Sequence, residues 1–424
     1  MIKIIQNAKN ADTAFTRKPF ASNREDAVKN IIEDVKKRGD ASLFELCERF
    51  DGAKLQSLIV SQKEIDDAFC RVDAKFIEIL KEAKANIEEY HTRQLREGFE
   101  IKKADGRVLG QKIIPVEKAG VYVPGGTAAY PSTVLMNVVP ALVAGVKDIT
   151  LCTPTKNGVI KDEILAAAKL CGISRIIKCG GAQAIAAMTY GTESVPAVDK
   201  IAGPGNIYVA LAKKAVYGDV GIDMVAGPSE ILIIADDSAN PDFIAGDMLS
   251  QAEHDALAAS ALVTTSYELA LKVQSSIEKQ IENLERKDIA RRSIDDNGQI
   301  IVVSDLDCAV KISNDIAPEH LELYVREPFA LLESVKNAGS VFLGGYTPEP
   351  IGDYFAGANH TLPTGGSARF SSALSIDDFI KKIQYIYYPK DAALESADKI
   401  AEFAKREGLD GHAKAVLLRK NGEK

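Results

Sequence analysis

Residues 148–191 read DITLCTPTKNGVIKDEILAAAKLCGISRIIKCGGAQAIAAMTYG, and this stretch decides the fold. The apolar runs DITLCTP and RIIKCGG each predict a buried strand, while residues 161–170 and the run AQAIAAMTYG each predict a helix. Strands that alternate with helices indicate a parallel sheet, because the chain must cross back over the sheet before the next parallel strand can begin. We therefore expect an α/β fold with doubly wound parallel sheets.

The same alternation continues in the second half of the chain. The predicted helices there are residues 240–253, 266–283 and 305–315, and the predicted strands are SEILIIAD, ASALVTTS, QIIVVS and SVFLGG. Two α/β units are therefore expected in the one chain.

The regions that flank these units are predicted to be mainly helical. SNRE (22–25) and SQKE (61–64) are capping boxes, and each opens an amphipathic run. Residues 74–95 have helical periodicity, and His91 lies among charged residues there, which favours a solvated histidine. FEIKKADGRVLGQKIIPV predicts paired short strands, and the tail from about residue 375 is predicted to be mostly helical.

Composition excludes several classes of partner. The chain has 424 residues, a net charge of -8 and no basic cluster, which argues against nucleic acid or an anionic membrane. Its six cysteines form no C-x-x-C pair, as is typical of reduced thiols in a cytoplasmic protein. The N-terminus MIKIIQNAKN lacks the apolar run of a signal peptide, and TVLMNVVPALVAGV, interrupted by Asn137 and Pro140, is too short to span a bilayer. We expect a cytoplasmic protein with no membrane partner.

Three glycine-rich turns occur where a parallel sheet would present a ligand: VPGGTAAYPS, KCGGAQA and AGPGNIY. A glycine turn that leads into a helix suits phosphate, because free backbone N–H groups and the helix dipole point at it. None of the three is a complete G-x-G-x-x-G, since Tyr208 occupies the third glycine position of GPGNIY. Nucleotide binding and tight structural turns therefore both remain open.

Amide, imidazole and carboxylate side chains recur in segments that could build a metal site. Gln251 and His254 are three residues apart in a predicted helix, so they share one face. GDYFAGANHTLPT sets Asp353 and His360 in a glycine-rich loop, and EGLDGHAK adds His412. These ligand types suit zinc or manganese. Sequence spacing leaves open whether they converge, and a hydrogen-bonded helix histidine is the alternative.

A carboxylate and an imidazole are adjacent in DIAPEHLEL, at Glu319 and His320. Pro318 disfavours a continuous helix into the pair, because it biases Ala317 towards an extended conformation. A loop after the helix 305–315, at the end of a strand, is a normal position for catalytic groups. Imidazole is the usual proton acceptor at neutral pH, and a carboxylate can deprotonate a water. Catalysis and ordinary surface charge both remain open for this pair.

Taken together, the segments resemble the histidinol dehydrogenase family. They run in family order from about residue 120 to residue 416: GVYVPGGTAAYPSTVLMNVVPA, GGAQAIAAMTYGT, KIAGPGNIYVA, IDMVAGPSEILIIAD, SQAEHD, IAPEHLEL, GDYFAGANHTLPT and EGLDGHAKAV. The resemblance implies a four-electron oxidation of L-histidinol, through L-histidinal, to L-histidine, with two NAD⁺ used in succession. It also implies that His320 takes the hydroxyl proton and that Glu319 activates the water that adds to the aldehyde.

The resemblance further implies the residues that bind metal, substrate and cofactor. One Zn²⁺ per subunit would hold and orient the substrate, and its protein ligands would be Gln251, His254, Asp353 and His412. The residues that contact the substrate, besides these ligands and His320, would be Ser229, His360 and Glu407. The positions that match NAD-contacting residues are Tyr122, Gln183 and Asn206.

The resemblance also implies a homodimer in which each active site is shared between subunits. Glu407 and His412 would reach into the active site of the other subunit. Each chain would contain two incomplete Rossmann-like units, a helical N-terminal region and a helical C-terminal segment. The predicted division is an N-terminal arm (1–20), a first α/β domain (21–121 with 229–374), a second Rossmann-like domain (122–228) and a C-terminal dimerisation segment (375–424).

Two other classes of function are compatible with parts of this pattern. A metallohydrolase with Glu319 as water activator would explain the metal ligands but would leave the glycine-rich turns without a role. A non-catalytic nucleotide-binding paralogue would explain the turns, but the presence of Glu319, His320 and all four expected zinc ligands argues against it.

Overall fold

The computed structural model describes residues 1–6, 24–125 and 129–422. The helices in these ranges are α1 (Glu25–Arg38), α2 (Asp40–Asp51), α3 (Gln62–Arg71), α4 (Ala74–Thr92), α5 (Pro131–Val143), α6 (Asp162–Leu170), α7 (Gly181–Tyr190), α8 (Ile207–Val216), α9 (Pro241–Ala252), α10 (Tyr267–Gln280), α11 (Lys287–Asn297), α12 (Leu306–Ile316), α13 (Pro328–Leu332), α14 (Glu349–Tyr354), α15 (Lys390–Arg406) and α16 (Asp410–Asn421). The strands are β1 (Lys3–Gln6), β2 (Phe99–Lys102), β3 (Val108–Pro115), β4 (Lys118–Tyr122), β5 (Asp148–Thr153), β6 (Ile176–Lys178), β7 (Lys200–Ala202), β8 (Gly221–Ile222), β9 (Glu230–Ala235), β10 (Ala259–Thr264), β11 (Gln299–Val302), β12 (His320–Tyr324), β13 (Ser340–Leu343) and β14 (Ile380–Tyr387).

Two parallel sheets share one strand order. The first sheet runs β1-β11-β10-β9-β12-β13, and the second sheet runs β6-β5-β4-β7-β8. Every neighbouring pair in both sheets is parallel. With β1 set aside, each sheet has its five strands in the order third, second, first, fourth, fifth along the chain, which is the Rossmann order without its sixth strand. The prediction of two incomplete Rossmann-like units is therefore confirmed.

Strand β9 shows why the first sheet is buried on both faces. Its residues Ile231, Leu232, Ile233 and Ile234 have no exposed surface. Ile231 and Ile233 pack in a cluster with side chains of α9, α10 and α11. Leu232 and Ile234 pack in a second cluster with side chains of α12. Because successive side chains of a strand point to opposite faces, a continuous apolar run is what a sheet between two helical layers requires.

The predicted N-terminal helices are largely confirmed. Ser61 caps α3, and the reciprocal bond from the Ser61 backbone N–H to Glu64 completes the predicted capping box. The predicted helix 74–95 corresponds to α4. Helix α1 begins at Glu25, and Ser22 of the predicted SNRE box lies outside the described residues.

The third sheet is antiparallel, with the order β14-β3-β2. Strands β2 and β3 confirm the predicted paired strands. Strand β14 adds eight extended residues at the start of a tail that we expected to be mostly helical. The described residues form two compact units, Met1–Gln94 with Val116–Phe379 and Leu95–Pro115 with Ile380–Lys424. The finer division into four segments stays a prediction.

The apolar run TVLMNVVPALVAGV belongs to the core helix α5, which continues past Pro140. Every residue from 133 to 141 is buried, and the Asn137 side-chain amide donates to the Thr133 carbonyl oxygen at 2.9 Å. Burial among neighbouring helices and strands therefore accounts for its hydrophobicity. Among the described residues, no helix is long and apolar enough to cross a membrane.

The expectation that His91 is solvated was wrong. His91 is fully buried, because it lies four residues after Ile87 on the inward face of α4. Its Nδ1 donates to Gln94 Oε1 at 2.8 Å, and its Nε2 accepts from the Asn359 amide at 3.4 Å. The charged neighbours that suggested solvent lie on the other faces of the same helix.

Burial lowers the pKa of His91 below its ordinary value. The unfolded chain therefore binds a proton at this residue at a higher pH than the folded chain does, and stability is lost as pH falls below the unfolded pKa of about 6.5. We expect the free energy of unfolding to fall less steeply with decreasing pH in His91→Gln. The difference in slope should be at most about 1.4 kcal/mol per pH unit, which is the slope that one proton contributes. Urea unfolding of both proteins between about pH 7.5 and pH 5.5 measures the difference. Identical slopes would show that His91 does not titrate in this way.

Candidate active site

Glu319 and His320 lie at the beginning of β12, at the amino edge of the first sheet. Helix α12 ends at Ile316, and Ala317 takes a left-handed conformation with φ 52° and ψ 65°. The expected extended conformation of Ala317 was therefore wrong: this residue ends α12 as a left-handed cap, with its N–H bonded to the Ser313 carbonyl oxygen at 2.8 Å. The chain then enters β12 directly at His320, so the pair lies at the start of a strand and not after its end.

His320 is held as a neutral base. Its Nδ1 lies 3.0 Å from the Glu230 carbonyl oxygen, which can only accept, so Nδ1 carries the proton and Nε2 has the free lone pair. The Nε2 atom is buried, and none of the residues that the structure describes forms a hydrogen bond with it. Burial lowers the pKa of His320, which keeps the ring unprotonated at neutral pH. This is the state that a general base requires.

Glu319 is a buried carboxyl beside that imidazole. Its Oε2 accepts the Glu230 backbone N–H at 2.9 Å and lies 3.6 Å from His320 Nδ1. Burial raises the pKa of Glu319 well above its ordinary value, and the nearby acidic side chains raise it further. Strand β9 thus positions both residues of the pair, because the backbone N–H and the backbone carbonyl oxygen of Glu230 each bind one of them.

The candidate metal ligands of the first compact unit come from two helices. Gln251 is buried in the last turn of α9, and its Oε1 has no hydrogen-bond partner among the described residues. Helix α9 ends at Ala252, so His254 follows it in a turn in which its N–H bonds to the Gln251 carbonyl oxygen at 3.3 Å. Asp353 lies in α14 and not in the expected loop, and its Oδ1 is 3.9 Å from His320 Nε2. Carboxylate and imidazole are ordinary zinc ligands, and the buried Gln251 oxygen is a further candidate ligand.

Glu349 is a candidate that the sequence did not reveal. Carboxylate oxygens of Glu349 and Asp353 and a ring nitrogen of His320 lie within 4.8 Å of one another. Glu349 is buried, and it accepts a hydrogen bond from the Ser250 hydroxyl at 3.1 Å. Its backbone N–H donates to Glu322 at 3.0 Å. Glu349 therefore joins α14, which carries Asp353, to α9, which carries Gln251.

His360 and Ser229 also lie near this edge of the first sheet. The Nδ1 of His360 donates to the Asp353 carbonyl oxygen at 2.9 Å. Burial, with a smaller contribution from the neighbouring His320 and His254, lowers the pKa of His360 to about 4. Ser229 immediately precedes β9. The structure therefore brings together the predicted catalytic pair, Asp353 and His360, with His254 close enough to act on them electrostatically.

The segment that carries His360 is fixed by its neighbours. The Asn359 side-chain amide donates to the Met136 carbonyl oxygen of α5 at 2.6 Å. The Asn137 amide of the same helix donates to Thr361 Oγ1 at 3.3 Å. Since Asn359 also contacts His91, helices α4 and α5 together set the position of the segment.

Glu407 and His412 belong to the second compact unit. Glu407 caps the C-terminal end of α15, and His412 lies in the first turn of α16. Both are exposed in the single chain. Their predicted places in an active site shared between subunits stay predictions.

The three candidate cofactor residues lie at the carboxyl edge of the second sheet. Tyr122 ends β4, Gln183 lies in the first turn of α7 after β6, and Asn206 caps α8 after β7. The chain changes direction between β4 and β7, and the crevice at such a switch point is the usual ligand site of an open α/β sheet. The Tyr122 hydroxyl accepts the Gly181 N–H at 3.1 Å, which ties two of the three glycine-rich segments together.

The turn that contains Gly203 approaches β4 closely. Gly203 has φ +117°, and a Cβ atom at this position would lie 2.0 Å from the Tyr122 carbonyl oxygen. A side chain cannot be accommodated there, so glycine is required for the backbone to pass the end of β4. A cavity of about 320 Å³ opens beside the same edge, and its lining includes Gly125 and Pro154. Close backbone approach beside a cavity fits the pyrophosphate and nucleoside of a dinucleotide.

Comparison with known proteins agrees with this geometry. The family profile described as Histidinol dehydrogenase matches residues 16–420. The chain belongs to the histidinol dehydrogenase family. It is 54% identical to the histidinol dehydrogenase of Geobacillus kaustophilus over 394 residues, 93% of each chain. It is 53% identical to the histidinol dehydrogenase of Clostridium acetobutylicum, and the match covers 92% of this chain and 91% of that protein. The crystal structure of histidinol dehydrogenase from Elizabethkingia anophelis superposes with a TM-score of 0.92, at 40% identity over 99% and 98% of the two chains.

Membership of the histidinol dehydrogenase family identifies the chain as an oxidoreductase of histidine biosynthesis. A metallohydrolase that uses the same ligands, which the sequence pattern alone had left open, is therefore set aside. The candidate catalytic pair lies with Asp353 and His360 at the amino edge of the first sheet.

We expect Glu349→Gln to weaken zinc binding by about 10- to 100-fold, which is the usual effect of removing a residue that supports a metal ligand. The neutral amide would remove the negative charge beside Asp353 and weaken the connection to Ser250. Competition with a chelator of known affinity measures the dissociation constant without any turnover.

Asp236→Asn is the matched control, because it removes a partly buried carboxylate at the opposite edge of the first sheet. Equal zinc affinities for wild type and Glu349→Gln would show that Glu349 does not support the site.

Proposed function

We propose that the chain catalyses the zinc-dependent, NAD⁺-linked oxidation of L-histidinol, through L-histidinal, to L-histidine. The observation that carries this proposal is the geometry of the buried His320 ring, whose Nε2 lies 3.9 Å from Asp353 Oδ1 and whose Nδ1 lies 3.6 Å from Glu319 Oε2. An oxidation of an alcohol to an acid needs a base for the hydroxyl proton and a second group that prepares a water. The pair supplies both within one site.

The metal site would position the substrate. When bound, Zn²⁺ supplies two open positions for the imidazole and amino nitrogens of histidinol, which fixes the reacting carbon in place. In the first compact unit Gln251, His254 and Asp353 would hold it, and the fourth ligand would be His412. Glu349 would keep the two helices that carry these ligands in register.

The first oxidation requires one proton and one hydride to leave the alcohol. His320 Nε2 would take the hydroxyl proton, and NAD⁺ supplies the acceptor for the hydride. The lowered pKa of His320 ensures that its ring is free to accept at neutral pH. The bond from Nδ1 to the Glu230 carbonyl oxygen holds the ring in the required tautomer and orientation.

The second oxidation requires water, because adding water to the aldehyde supplies the second oxygen of the acid. The Glu319 carboxylate would take a proton from that water as it adds to the aldehyde, giving the hydrate. The raised pKa of Glu319 makes its ionised form a stronger base than an exposed carboxylate. His320, after passing its first proton to solvent, would take a hydroxyl proton of the hydrate as the second hydride leaves. In total, one histidinol, one water and two NAD⁺ give one histidine with an ionised carboxyl group, two NADH and three protons that pass to solvent.

Cofactor binding is assigned to the carboxyl edge of the second sheet. Tyr122 ends β4, Gln183 lies in the helix after β6 and Asn206 caps the helix after β7, while the Gly203 turn brings backbone close to Tyr122. This arrangement supports NAD⁺ binding without the complete glycine fingerprint.

We also propose a cytoplasmic homodimer whose subunits complete each other's active sites. Glu407 would provide a counter-charge for the substrate amine, and His412 the last zinc ligand. The second compact unit supports an interface, because it exposes large apolar side chains in the single chain: Ile383 (47%), Ile386 (71%), Tyr387 (58%), Phe403 (70%) and Leu418 (69%).

The decisive test is the stoichiometry of NADH formation from histidinol by zinc-loaded protein. We expect two NADH for each histidinol consumed, measured by absorbance and by amino-acid analysis of the histidine formed. One NADH for each histidinol, or none, would contradict the four-electron reaction.

Glu319→Gln is the control variant for that experiment. It should bind zinc and NAD⁺ as wild type does and lose turnover, because it changes the water step and no ligand. Loss of zinc from this variant would contradict the role assigned to Glu319.

The shared active site predicts complementation between two inactive variants. Subunits that carry His412→Asn and subunits that carry Glu319→Gln should regain partial activity when mixed into heterodimers, because one of the two sites is then wholly wild type. Differently tagged subunits allow the heterodimer to be isolated before assay. Inactive heterodimers would show that each site belongs to one chain.

A further inference from the structure

A buried ion pair lies behind the glycine-rich turn of the second sheet. Lys213, on α8, is 2% exposed, and its ammonium group forms an ion pair with Asp223, which directly follows β8. The Asp223 side chain has no exposed surface. Taking two charges out of water is costly unless further hydrogen bonds satisfy them. The other partners of this pair therefore indicate what it does.

Those partners converge on one residue. Lys213 Nζ donates to the Gly203 carbonyl oxygen at 2.9 Å. Asp223 Oδ2 accepts the Gly203 backbone N–H at 2.9 Å. Asp223 Oδ1 also accepts the Met224 N–H at 2.7 Å, which holds the carboxylate in place. The donor and the acceptor of the Gly203 backbone are thus both bound by the ion pair.

Gly203 is the residue at which the turn passes the end of β4. Its φ of +117° and the missing Cβ allow the backbone to approach the Tyr122 carbonyl oxygen. A glycine with such freedom is held in one conformation only if its surroundings fix it. Three residues later Asn206 caps α8, and Lys213 lies seven residues after Asn206, on the same face of that helix.

We propose that Lys213 and Asp223 are positioning residues for the dinucleotide: the ion pair fixes the Gly203 turn so that the turn and the N-terminus of α8 present a preformed surface to the cofactor. This inference rests on the proposed binding of NAD⁺ at the carboxyl edge of the second sheet. A preformed surface matters because ordering a loop on binding weakens affinity. The pair acts through the backbone and does not touch the cofactor itself.

Lys213→Met removes the charge and keeps much of the side-chain length, and Asp223→Asn keeps an acceptor for the Gly203 N–H while removing the charge. We expect each variant to raise the dissociation constant for NADH by about 10- to 100-fold, because a displacement of about 1 Å can have such an effect. Titration of NADH fluorescence without histidinol measures this directly. The KM for NAD⁺ should rise in parallel, while zinc affinity and calorimetric binding of histidinol to zinc-loaded protein stay at wild-type values.

Lys200→Met is the matched control. Lys200 lies on β7, which leads into the same turn, and its largely buried ammonium group pairs with Asp378 at 3.2 Å without a contact to Gly203. We expect NADH affinity to be unchanged in this variant. That result would show that losing a buried lysine charge from the second sheet is not by itself enough to weaken NADH binding.

The outcomes separate the inference from the function on which it rests. Wild-type NADH affinity in folded Lys213→Met or Asp223→Asn would overturn the inference and leave the proposed function intact. Equal weakening of NADH and histidinol binding would also overturn it, because it would show a general structural role. If Lys213→Met does not fold, Asp223→Asn alone decides. Failure of wild type to bind NADH would overturn both proposals.

Discussion

The burial of several carboxyl groups at one edge of the first sheet is the constraint on which the rest of the site depends. Glu319, Glu349 and Asp353 are largely removed from water, and each has a carboxylate oxygen close to the His320 ring. Burying one unpaired negative charge is already unfavourable, and several together require protons or a cation. A divalent ion among them would compensate that charge and lower the raised pKa of Asp353. Binding of a metal ion and ordering of the site are thus expected to depend on each other, because both depend on compensating the buried negative charge.

The backbone of β9 fixes the orientation of the Glu319 and His320 side chains. Glu230 offers its N–H to Glu319 and its carbonyl oxygen to His320, so one residue at the start of a buried strand orients a carboxyl and an imidazole together. Because β9 is packed on both faces, this reference point is rigid. Both Rossmann-like sheets have the same strand order, yet the candidate catalytic residues lie at the amino edge of one sheet and the candidate cofactor residues at the carboxyl edge of the other.

Periodicity of apolar residues predicted most of the fold, because buried parallel strands and amphipathic helices have strong local signals. The signals failed where tertiary contacts override local pattern. Charged neighbours concealed the burial of His91, and Pro318 suggested an extended Ala317 where a left-handed cap forms. At the site, family motifs supplied the candidate ligands, whereas Glu349 and Lys213 follow no motif. Their importance lies in partners that are distant along the chain, Ser250 and Gly203, and no local pattern encodes such a pairing.

The hydrogen bonds of Asn359 have a consequence for genetics. This amide links the buried ring of His91 and the Met136 carbonyl oxygen to the residue immediately before His360. A mutation in α4 or α5 can therefore displace His360, a candidate substrate contact, while leaving every chemical group of the candidate site present. In a bacterium that must make its own histidine, such lesions would be scored as auxotrophs together with true active-site mutants. Growth on added histidinol, graded by its concentration, would sort the two classes, because only a displaced site can be rescued by more substrate.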